Sequence, residues 1–397
     1  MKNHNILKNL CNVVFVAGSG NFWLKENHIG DDNSFLYRFY RFVLFSIYGF
    51  MTILEILAAV IGDFPDDEQS DAVTFAVSHT IVMIKIFSVI YRKELVKTLN
   101  RNMVRVCEIY ETKTLMEEQY RIMKINVIAY FVTVYGSAAF FIIAGARKMR
   151  EGSHFITIVT YWPGHDDDTG IATVFRIFTT VVLCVMMVTM VSIDSFAMVY
   201  LIMYKYKFIT LRHYFEELRK EFDEASKSSL ELASDKLTQG LVDGIEMHKK
   251  LLRLSRDIDR SFGTVMALQV CLSSGSAVSL LLHLALSKEL TFVVTMKILF
   301  FGVALFFLLA LFVCNAGEIT YQASLLADSI FYCGWYACPS QSAPRRNIRQ
   351  LVLLAVAQAQ RPIVMKAFNM LELTYGTFIS VVRGTYSVFT LIYAQNT

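Results

Sequence analysis

Residues 171–203 read IATVFRIFTTVVLCVMMVTMVSIDSFAMVYLIM and contain two charged side chains, Arg176 and Asp194. A helix of about 20 mostly apolar residues is long enough to cross the hydrocarbon core of a bilayer. No proline interrupts the stretch. It therefore predicts a membrane-spanning helix.

Six further runs of this kind predict an all-α membrane protein with seven transmembrane helices. The composition agrees, because 55% of the residues are hydrophobic and 18% are charged, against about 25% charged in soluble proteins. All five prolines fall between the runs, as expected for uninterrupted helices. The seven predicted spans are 42–61, 72–91, 125–146, 171–203, 262–286, 292–316 and 368–393.

The distribution of Lys and Arg orients the predicted helices. With the N-terminus inside, the cytoplasmic segments carry 28 Lys and Arg residues, leaving out Lys366 beside the last span, and the outer segments carry 4. Because positive charge is retained on the cytoplasmic side, we predict a cytoplasmic N-terminus and an extracellular C-terminus. No cysteine falls in a predicted outer segment, so no disulfide is expected.

The spans and loops divide the chain into five predicted regions. They are a cytoplasmic N-terminal segment (1–41), the first six transmembrane helices with cytoplasmic extensions (42–316), a cytoplasmic segment (317–367), the last helix (368–393) and an extracellular tail (394–397).

Helical patterns continue beyond the membrane on the predicted cytoplasmic side. Leu211, Phe215, Leu218 and Phe222 share one helix face after the fourth span. A separate amphipathic helix is predicted over 342–361, with Ser342 as its cap and Pro362 after its end. These extensions predict a helical platform beneath the membrane, and solvated hairpins are the alternative.

Charged residues inside the predicted spans are candidates for function, since each costs about 2.5–3.5 kcal/mol to insert. Lys85, Arg176 and Lys297 lie near span ends, where snorkelling to the interface is the favoured explanation. Glu55 lies deeper. Asp194 is either an anchor at the inner leaflet or a partner of another helix, and both interpretations stay open.

The last predicted span is polar for a membrane helix. Glu372 and Arg383 lie about three turns apart and share a face. Small and hydroxyl residues extend this character toward the C-terminus: Gly376, Ser380, Gly384, Ser387 and Thr390. Such a stripe indicates either tight helix packing or the lining of a pore.

Enzyme chemistry is not predicted. The sequence contains no Gly-rich phosphate loop, no nucleophile elbow and no spaced set of zinc ligands. No metal and no cofactor is therefore expected, and the small, dispersed net charge of +4 does not indicate nucleic acid.

Linked motifs follow one another through the C-terminal third of the chain. They are Cys314-Asn-Ala-Gly-Glu-Ile, Tyr332-Cys-Gly-Trp335-Tyr336, the basic helix around Arg345 and Arg349, Gln358-Ala-Gln-Arg-Pro362, and Gly384-Thr-Tyr386-Ser387-Val-Phe389-Thr390-Leu-Ile. Together these motifs resemble the insect odorant receptor family, and the closing Tyr-Ser-x-Phe-Thr is the most specific of them.

Two related groups differ from this chain. The related gustatory receptors end in Thr-Tyr, five apolar residues and Gln-Phe. Here Gln395 follows Thr385-Tyr386 after a longer spacing and is not followed by Phe. The family's co-receptor carries a large cytoplasmic insertion before its fifth span, for which this chain has no room. The resemblance therefore implies a ligand-tuning subunit, with a gustatory-type channel as the alternative.

The resemblance implies a heterotetrameric, ligand-gated, non-selective cation channel that assembles with the odorant receptor co-receptor. It implies a place in the plasma membrane of olfactory sensory neuron dendrites and a small volatile organic ligand, an odorant or a pheromone. In this family the odorant lies in the outer half of the membrane between spans two, three, four and six. The last span lines the pore, and the cytoplasmic helices anchor the subunits together.

Depth in the outer half of these spans selects the candidate ligand-binding residues, of which roughly half are expected to serve ordinary helix packing. They are Phe75, His79, Val82, Tyr135, Ser137, Ala138, Phe141, Phe178, Val181, Val182, Thr295, Leu299 and Val303. The family's gate region matches the end of the last span, which makes the pore candidates Ser387, Leu391, Ile392, Ala394 and Gln395.

Two other functional classes are minor alternatives. A G-protein-coupled receptor has an outer N-terminus, which the charge distribution opposes. A secondary transporter usually shows internal repeats and spans broken by glycine or proline, and the predicted spans contain no proline.

Overall fold

Long helices account for nearly all of the residues that the structure describes. The structure is a computed structural model, and it describes residues 2–23, 29–150, 152, 154–164, 166–286, 292–338, 343–368 and 370–396. The helices are α1 (Lys2–Val16), α2 (Phe35–Ile61), α3 (Asp66–Tyr91), α4 (Lys93–Arg105), α5 (Lys113–Arg150), α6 (Gly170–Ala225), α7 (Leu230–Leu286), α8 (Phe292–Ser324), α9 (Leu326–Phe331), α10 (Ala343–Ala359) and α11 (Tyr375–Asn396).

Seven of these helices are long and apolar enough to cross a membrane, which confirms the predicted fold class. They are α2, α3, α5, α6, α7, α8 and α11. Most extend beyond the apolar runs because polar residues outside the hydrocarbon also join the helix. The amide of Tyr37 donates to Ser34 Oγ (3.3 Å) at the start of α2. The amide of Ala172 donates to Thr169 Oγ1 (3.3 Å) at the start of α6.

The predicted platform is built by the ends of α6 and α7, which continue past the apolar core without a break. Leu211, Phe215 and Phe222 on α6 are buried where they face α7 and its neighbours. The helices approach closely because α7 has glycines there: a Cβ at Gly240 would lie 2.4 Å from Leu218, and one at Gly244 would lie 2.5 Å from Phe215. α9 packs on α6, and α10 packs on α9 and α7. Ser342, the predicted cap of α10, lies outside the described residues.

The last span begins later than the apolar run predicts. Two short antiparallel strands, β1 (Lys366–Ala367) and β2 (Leu371–Glu372), precede it, and α11 starts at Tyr375. The prediction that Glu372 and Arg383 share a helix face is therefore wrong. The Glu372 carboxylate instead lies 3.6 Å from Lys366 Nζ across the strand pair. A hydropathy window cannot separate the apolar residues around this strand pair, such as Phe368, Met370 and Leu373, from the helix that follows them.

The segment between α5 and α6 closes the predicted outer end of the bundle. The Arg176 guanidinium is buried there and donates to the carbonyl of Gly164 (2.9 Å). Lys148 at the end of α5 pairs with Glu68 on α3 at 2.9 Å. Arg176 is therefore held by the backbone of the segment between α5 and α6. The side chain of Lys297 lies outside the described residues.

The N-terminal segment is fixed to the start of α4 by a buried carboxylate. Asp32 pairs with Lys93 and accepts a hydrogen bond from the amide of Asn21 (3.0 Å). Burial alone would raise the pKa of Asp32, but the hydrogen bonds from Lys93 and Asn21 hold it below its usual value. The carboxylate therefore stays ionised near neutral pH. Its stabilising contribution is present above the ordinary pKa of an aspartate and is lost as the pH falls through the lowered value.

Candidate functional site

Four helices meet at a buried polar network inside the membrane bundle. Lys85 Nζ on α3 lies 3.1 Å from Asp194 Oδ2 on α6 and 2.5 Å from Gln269 Oε1 on α7. The hydroxyl of Tyr130 on α5 donates to the same Asp194 oxygen at 2.6 Å. Gln269 Nε2 donates in turn to Ser273 Oγ (3.3 Å). All five side chains are buried.

The contacts of this network show how the charged side chains of Lys85 and Asp194 are stabilised inside the bundle. Lys85 is 1% exposed and pairs within the bundle, so its predicted snorkelling to the interface is wrong. Asp194 is the interhelical partner of Lys85, which settles its two open interpretations. The pairing satisfies the physical requirement that a charge inside the membrane be matched by an opposite charge and by hydrogen bonds. Lys85 lies six residues and Asp194 nine residues from the inner ends of their predicted spans, so both fall in the inner part of the membrane, and that was the available signal.

A second buried pair joins α2 to α3. Nδ1 of His79 lies 2.7 and 2.8 Å from the two carboxylate oxygens of Glu55. Glu55 is completely buried and His79 is 7% exposed. The pair thus accounts for the deep carboxylate in the first span and holds the imidazole ring in one orientation.

An apolar cavity of about 100 Å³ lies beside this pair. Two of its walls come from residues at helical spacing on α3 and α5, where side chains three and four residues apart share a face. They are Phe75, Ser78, His79 and Val82 on α3, and Val134, Ser137, Ala138 and Phe141 on α5. Six of the thirteen candidate ligand-binding residues are among them.

The remaining walls come from residues that the depth criterion missed. α6 contributes Leu183 and three methionines, α7 contributes two residues, and α8 contributes four at helical spacing. They are Leu183, Met186, Met187 and Met190, then Gln269 and Leu272, then Phe301, Ala304, Leu305 and Leu308. Both four-residue sets follow the i, i+3, i+4, i+7 pattern of one helix face, which was a usable signal. α7, the fifth span, was not among the expected helices.

Seven candidate residues lie outside the cavity. Phe178 and Val182 border a groove between α2 and α6, and Leu299 and Val303 border another between α7 and α8. Val181 is 55% exposed on the surface of the subunit. Tyr135 turns toward α6, where its hydroxyl donates to the carbonyl of Cys184 (3.3 Å). Thr295 lies on α8 away from the cavity lining. These residues have the right depth but the wrong rotation about their helix axes.

The cavity suits a small, mainly apolar molecule. Aromatic contacts shape it, since Phe141 lies edge-on to Phe75 (5.2 Å between ring centroids) and to Phe301 (5.6 Å). Its polar groups are the serine hydroxyls and the side chains of His79 and Gln269. Few polar groups among apolar walls are typical of a small-molecule site. Among the described residues, no cluster of side chains has the composition of a metal site.

The pore candidates lie on the least buried of the candidate spans. Only 6% of the apolar stretch of α11 is buried within the subunit. Leu391 is 62% exposed, Ser387 and Ala394 are exposed, and Ile392 is half-buried. The side chain of Gln395 lies outside the described residues. α11 packs on α7 and α8 through one side, and its other sides are uncovered in the described part of the chain.

The fold is shared with a solved insect receptor. The structure of olfactory receptor OR5 from Machilis hrabei, solved in complex with eugenol, matches with a TM-score of 0.79 and 12% sequence identity. The match covers 99% of this chain and 98% of that one. A second structure of the same receptor matches with a TM-score of 0.80 over 98% of this chain and 97% of that one.

Sequence comparison leads to the same group of proteins. Odorant receptor Or2 of Anopheles gambiae is 29% identical over 156 residues, which are 38% of either chain. Odorant receptor 19a of Drosophila melanogaster is 28% identical over 153 residues, again 38% of either chain. The sequence profile described as 7tm Odorant receptor matches residues 66–386, which is most of the chain. The chain therefore belongs to the insect odorant receptor family.

Proposed function

We propose that the protein is the ligand-tuning subunit of a heterotetrameric, odorant-gated, non-selective cation channel in the plasma membrane of olfactory sensory neurons. It assembles with the family's co-receptor, and a small volatile molecule binds in the cavity between α3, α5, α6, α7 and α8. The observation that carries this proposal is the apolar cavity between the helices of a seven-helix bundle whose last helix is left largely uncovered.

The pore assignment follows from the exposed side chains of α11. Leu391 and Ser387 lie on the uncovered surface of the helix. In a tetramer, one apolar side chain from each subunit forms a ring that closes a pore by excluding water, and hydroxyl groups line the path beside it. Ligand binding opens this ring only to the extent that the ligand prefers the open arrangement. The cavity and the ring are thus two sites coupled through the bundle.

Expression with and without the co-receptor tests this function. Cells carrying both subunits are exposed to a panel of volatile compounds while membrane current is recorded with G-protein signalling blocked. We expect ligand-evoked cation current from the pair. Confirmed surface delivery with no current from any combination would contradict the channel assignment, and current that disappears when G-proteins are blocked would favour a coupled receptor.

Replacing Phe141 by alanine is expected to weaken ligand binding about tenfold or more. The ring lies 8% exposed between Phe75 and Phe301, and its loss removes the dispersion contacts that enclose a ligand. The measurement is the ligand concentration for half-maximal current. Phe178→Ala is the matched control, because Phe178 is 46% exposed and lies outside the cavity. Equal shifts in the two variants would move the ligand site elsewhere.

A further inference from the structure

We infer that the ligand of this cavity carries a carbonyl group, as in a ketone, aldehyde or ester, whose oxygen accepts a hydrogen bond from Nε2 of His79. The inference rests on the proposed function of the cavity as the odorant site and assigns the ligand's chemical class. It starts from the Glu55–His79 pair, which is the one buried acid–imidazole contact that reaches the cavity wall among the described residues.

The geometry leaves one ring nitrogen available to a ligand. Nδ1 of His79 is occupied by the Glu55 carboxylate at 2.7 and 2.8 Å. No hydrogen bond to Nε2 occurs within the described part of the chain, and the ring lines the cavity. Because Glu55 holds the other side of the ring, Nε2 is presented in a fixed position. A preorganised polar group of this kind costs little entropy when a ligand binds it.

The number of protons on the Glu55–His79 pair determines whether Nε2 of His79 can donate a hydrogen bond to a ligand. Glu55 has no other hydrogen-bond partner within the described part of the chain and is completely buried, so a net negative charge on the pair is costly. The pair is neutral when it holds one shared proton, either as carboxylic acid with neutral imidazole or as carboxylate with imidazolium. In both neutral forms Nε2 carries a hydrogen. The cavity therefore presents an N–H donor, whichever partner keeps the shared proton.

The neighbouring polar groups fit the same ligand. The hydroxyl of Ser78 is buried and has no hydrogen-bond partner in the described part of the chain, and Ser78 also lines the cavity. The amide of Gln269 is partly used, because Oε1 accepts from Lys85 and one hydrogen of Nε2 is donated to Ser273. A carbonyl oxygen has two lone pairs and brings no proton of its own, so it can accept from both His79 and Ser78. A donor-free acceptor on an apolar body therefore matches the site.

Matched ligands test the inference. The probes are methyl ketones of increasing chain length and, for each, the isosteric alkene in which a methylene group replaces the carbonyl oxygen. Binding is read as thermal stabilisation of the purified receptor, and gating is read as current with the co-receptor. For the best-fitting chain length, we expect the ketone to act at about tenfold lower concentration than its alkene. Tenfold corresponds to about 1.4 kcal/mol, a reasonable value for one hydrogen bond.

Two double variants isolate the donor. E55M/H79F replaces the pair by apolar side chains of similar size, which a buried pair commonly tolerates. It is expected to reduce the ketone advantage to about one. E55M/H79Q is the matched control, because the glutamine amide restores an N–H donor near the position of Nε2, and it is expected to keep the advantage.

The outcomes separate the two proposals. Equal action of ketone and alkene on the native receptor, or an advantage that survives in E55M/H79F, would overturn the ligand class. Absence of any ketone stabilisation would overturn it as well. Ketones that stabilise the native receptor more than their alkenes and lose this advantage in E55M/H79F, yet evoke no current with the co-receptor, would leave the ligand class standing and contradict the channel function.

Discussion

Replacing Lys85 by methionine is expected to lower the free energy of unfolding by about 3–5 kcal/mol, because Asp194 is then left as an unpaired carboxylate inside the membrane bundle. The native pair is 3.1 Å apart and both side chains are at most 2% exposed. Thermal denaturation of the detergent-solubilised receptor measures the loss, and a decrease of roughly 5–10 °C in the midpoint is expected. Poor delivery to the cell surface should accompany it.

Removing the charge that is left behind is expected to restore most of the stability. In K85M/D194N the amide oxygen still accepts the hydrogen bond that Tyr130 donates to Asp194 at 2.6 Å in the native protein. K220M is the surface control, because Lys220 pairs with Glu217 while 68% exposed, and exposed pairs contribute little. A K85M receptor as stable as the native one, or a double variant as damaged as K85M, would contradict the central role of the buried charge.

Replacing Leu391 by threonine is expected to raise the ligand-independent current on the order of tenfold. If Leu391 from each copy of this chain forms part of the closed ring, a hydroxyl at those positions lowers the cost of wetting the pore. A shift of about 1.4 kcal/mol in the opening equilibrium produces a tenfold change in the closed-to-open ratio. Leu391 is 62% exposed in the subunit, so the change leaves the packing of α11 on α7 and α8 in place.

The control for Leu391 lies on the same helix. Ile379 is 50% exposed, comparable to Leu391, but it lies 12 residues earlier, or about 18 Å along the helix. Ile379→Thr is expected to leave the resting current near its native level. The assay compares currents in the absence of ligand, normalised to the amount of receptor at the cell surface. Equal leak from both variants, or no leak from Leu391→Thr, would place the gate elsewhere.

The membrane fold follows from the sequence because the thickness of the bilayer sets the length of each apolar run. The depth of a residue along its helix also follows from the sequence, and Phe75, His79 and Phe141, which were chosen by depth, lie on the cavity wall. Depth does not show which side of its helix a residue lies on. Phe178 and Met186 lie on the same helix, yet the first faces a groove between α2 and α6 and the second faces the cavity.

Contacts between distant parts of the chain also could not be predicted from the sequence. Lys85 and Asp194 are 109 residues apart, so no local pattern shows that they pair. The strand pair ahead of α11 was hidden for a different reason. The apolar residues around it, such as Phe368, Met370 and Leu373, continue the hydropathy of the span, and only the backbone pairing of Ala367 with Leu371 separates this segment from the helix.

Gln269 belongs both to the cavity wall and to the charge network, and this constrains how such a receptor can change its ligand over evolutionary time. A substitution there alters the shape of the binding site and the support of a buried lysine together, so variants that gain a ligand by this route lose folded protein. The three methionines of α6 that line the cavity make no hydrogen bond to the charge network among the described residues. Their flexible, unbranched side chains tolerate exchange, so new ligand preferences are expected to arise first at Met186, Met187 and Met190, while Gln269 stays unchanged.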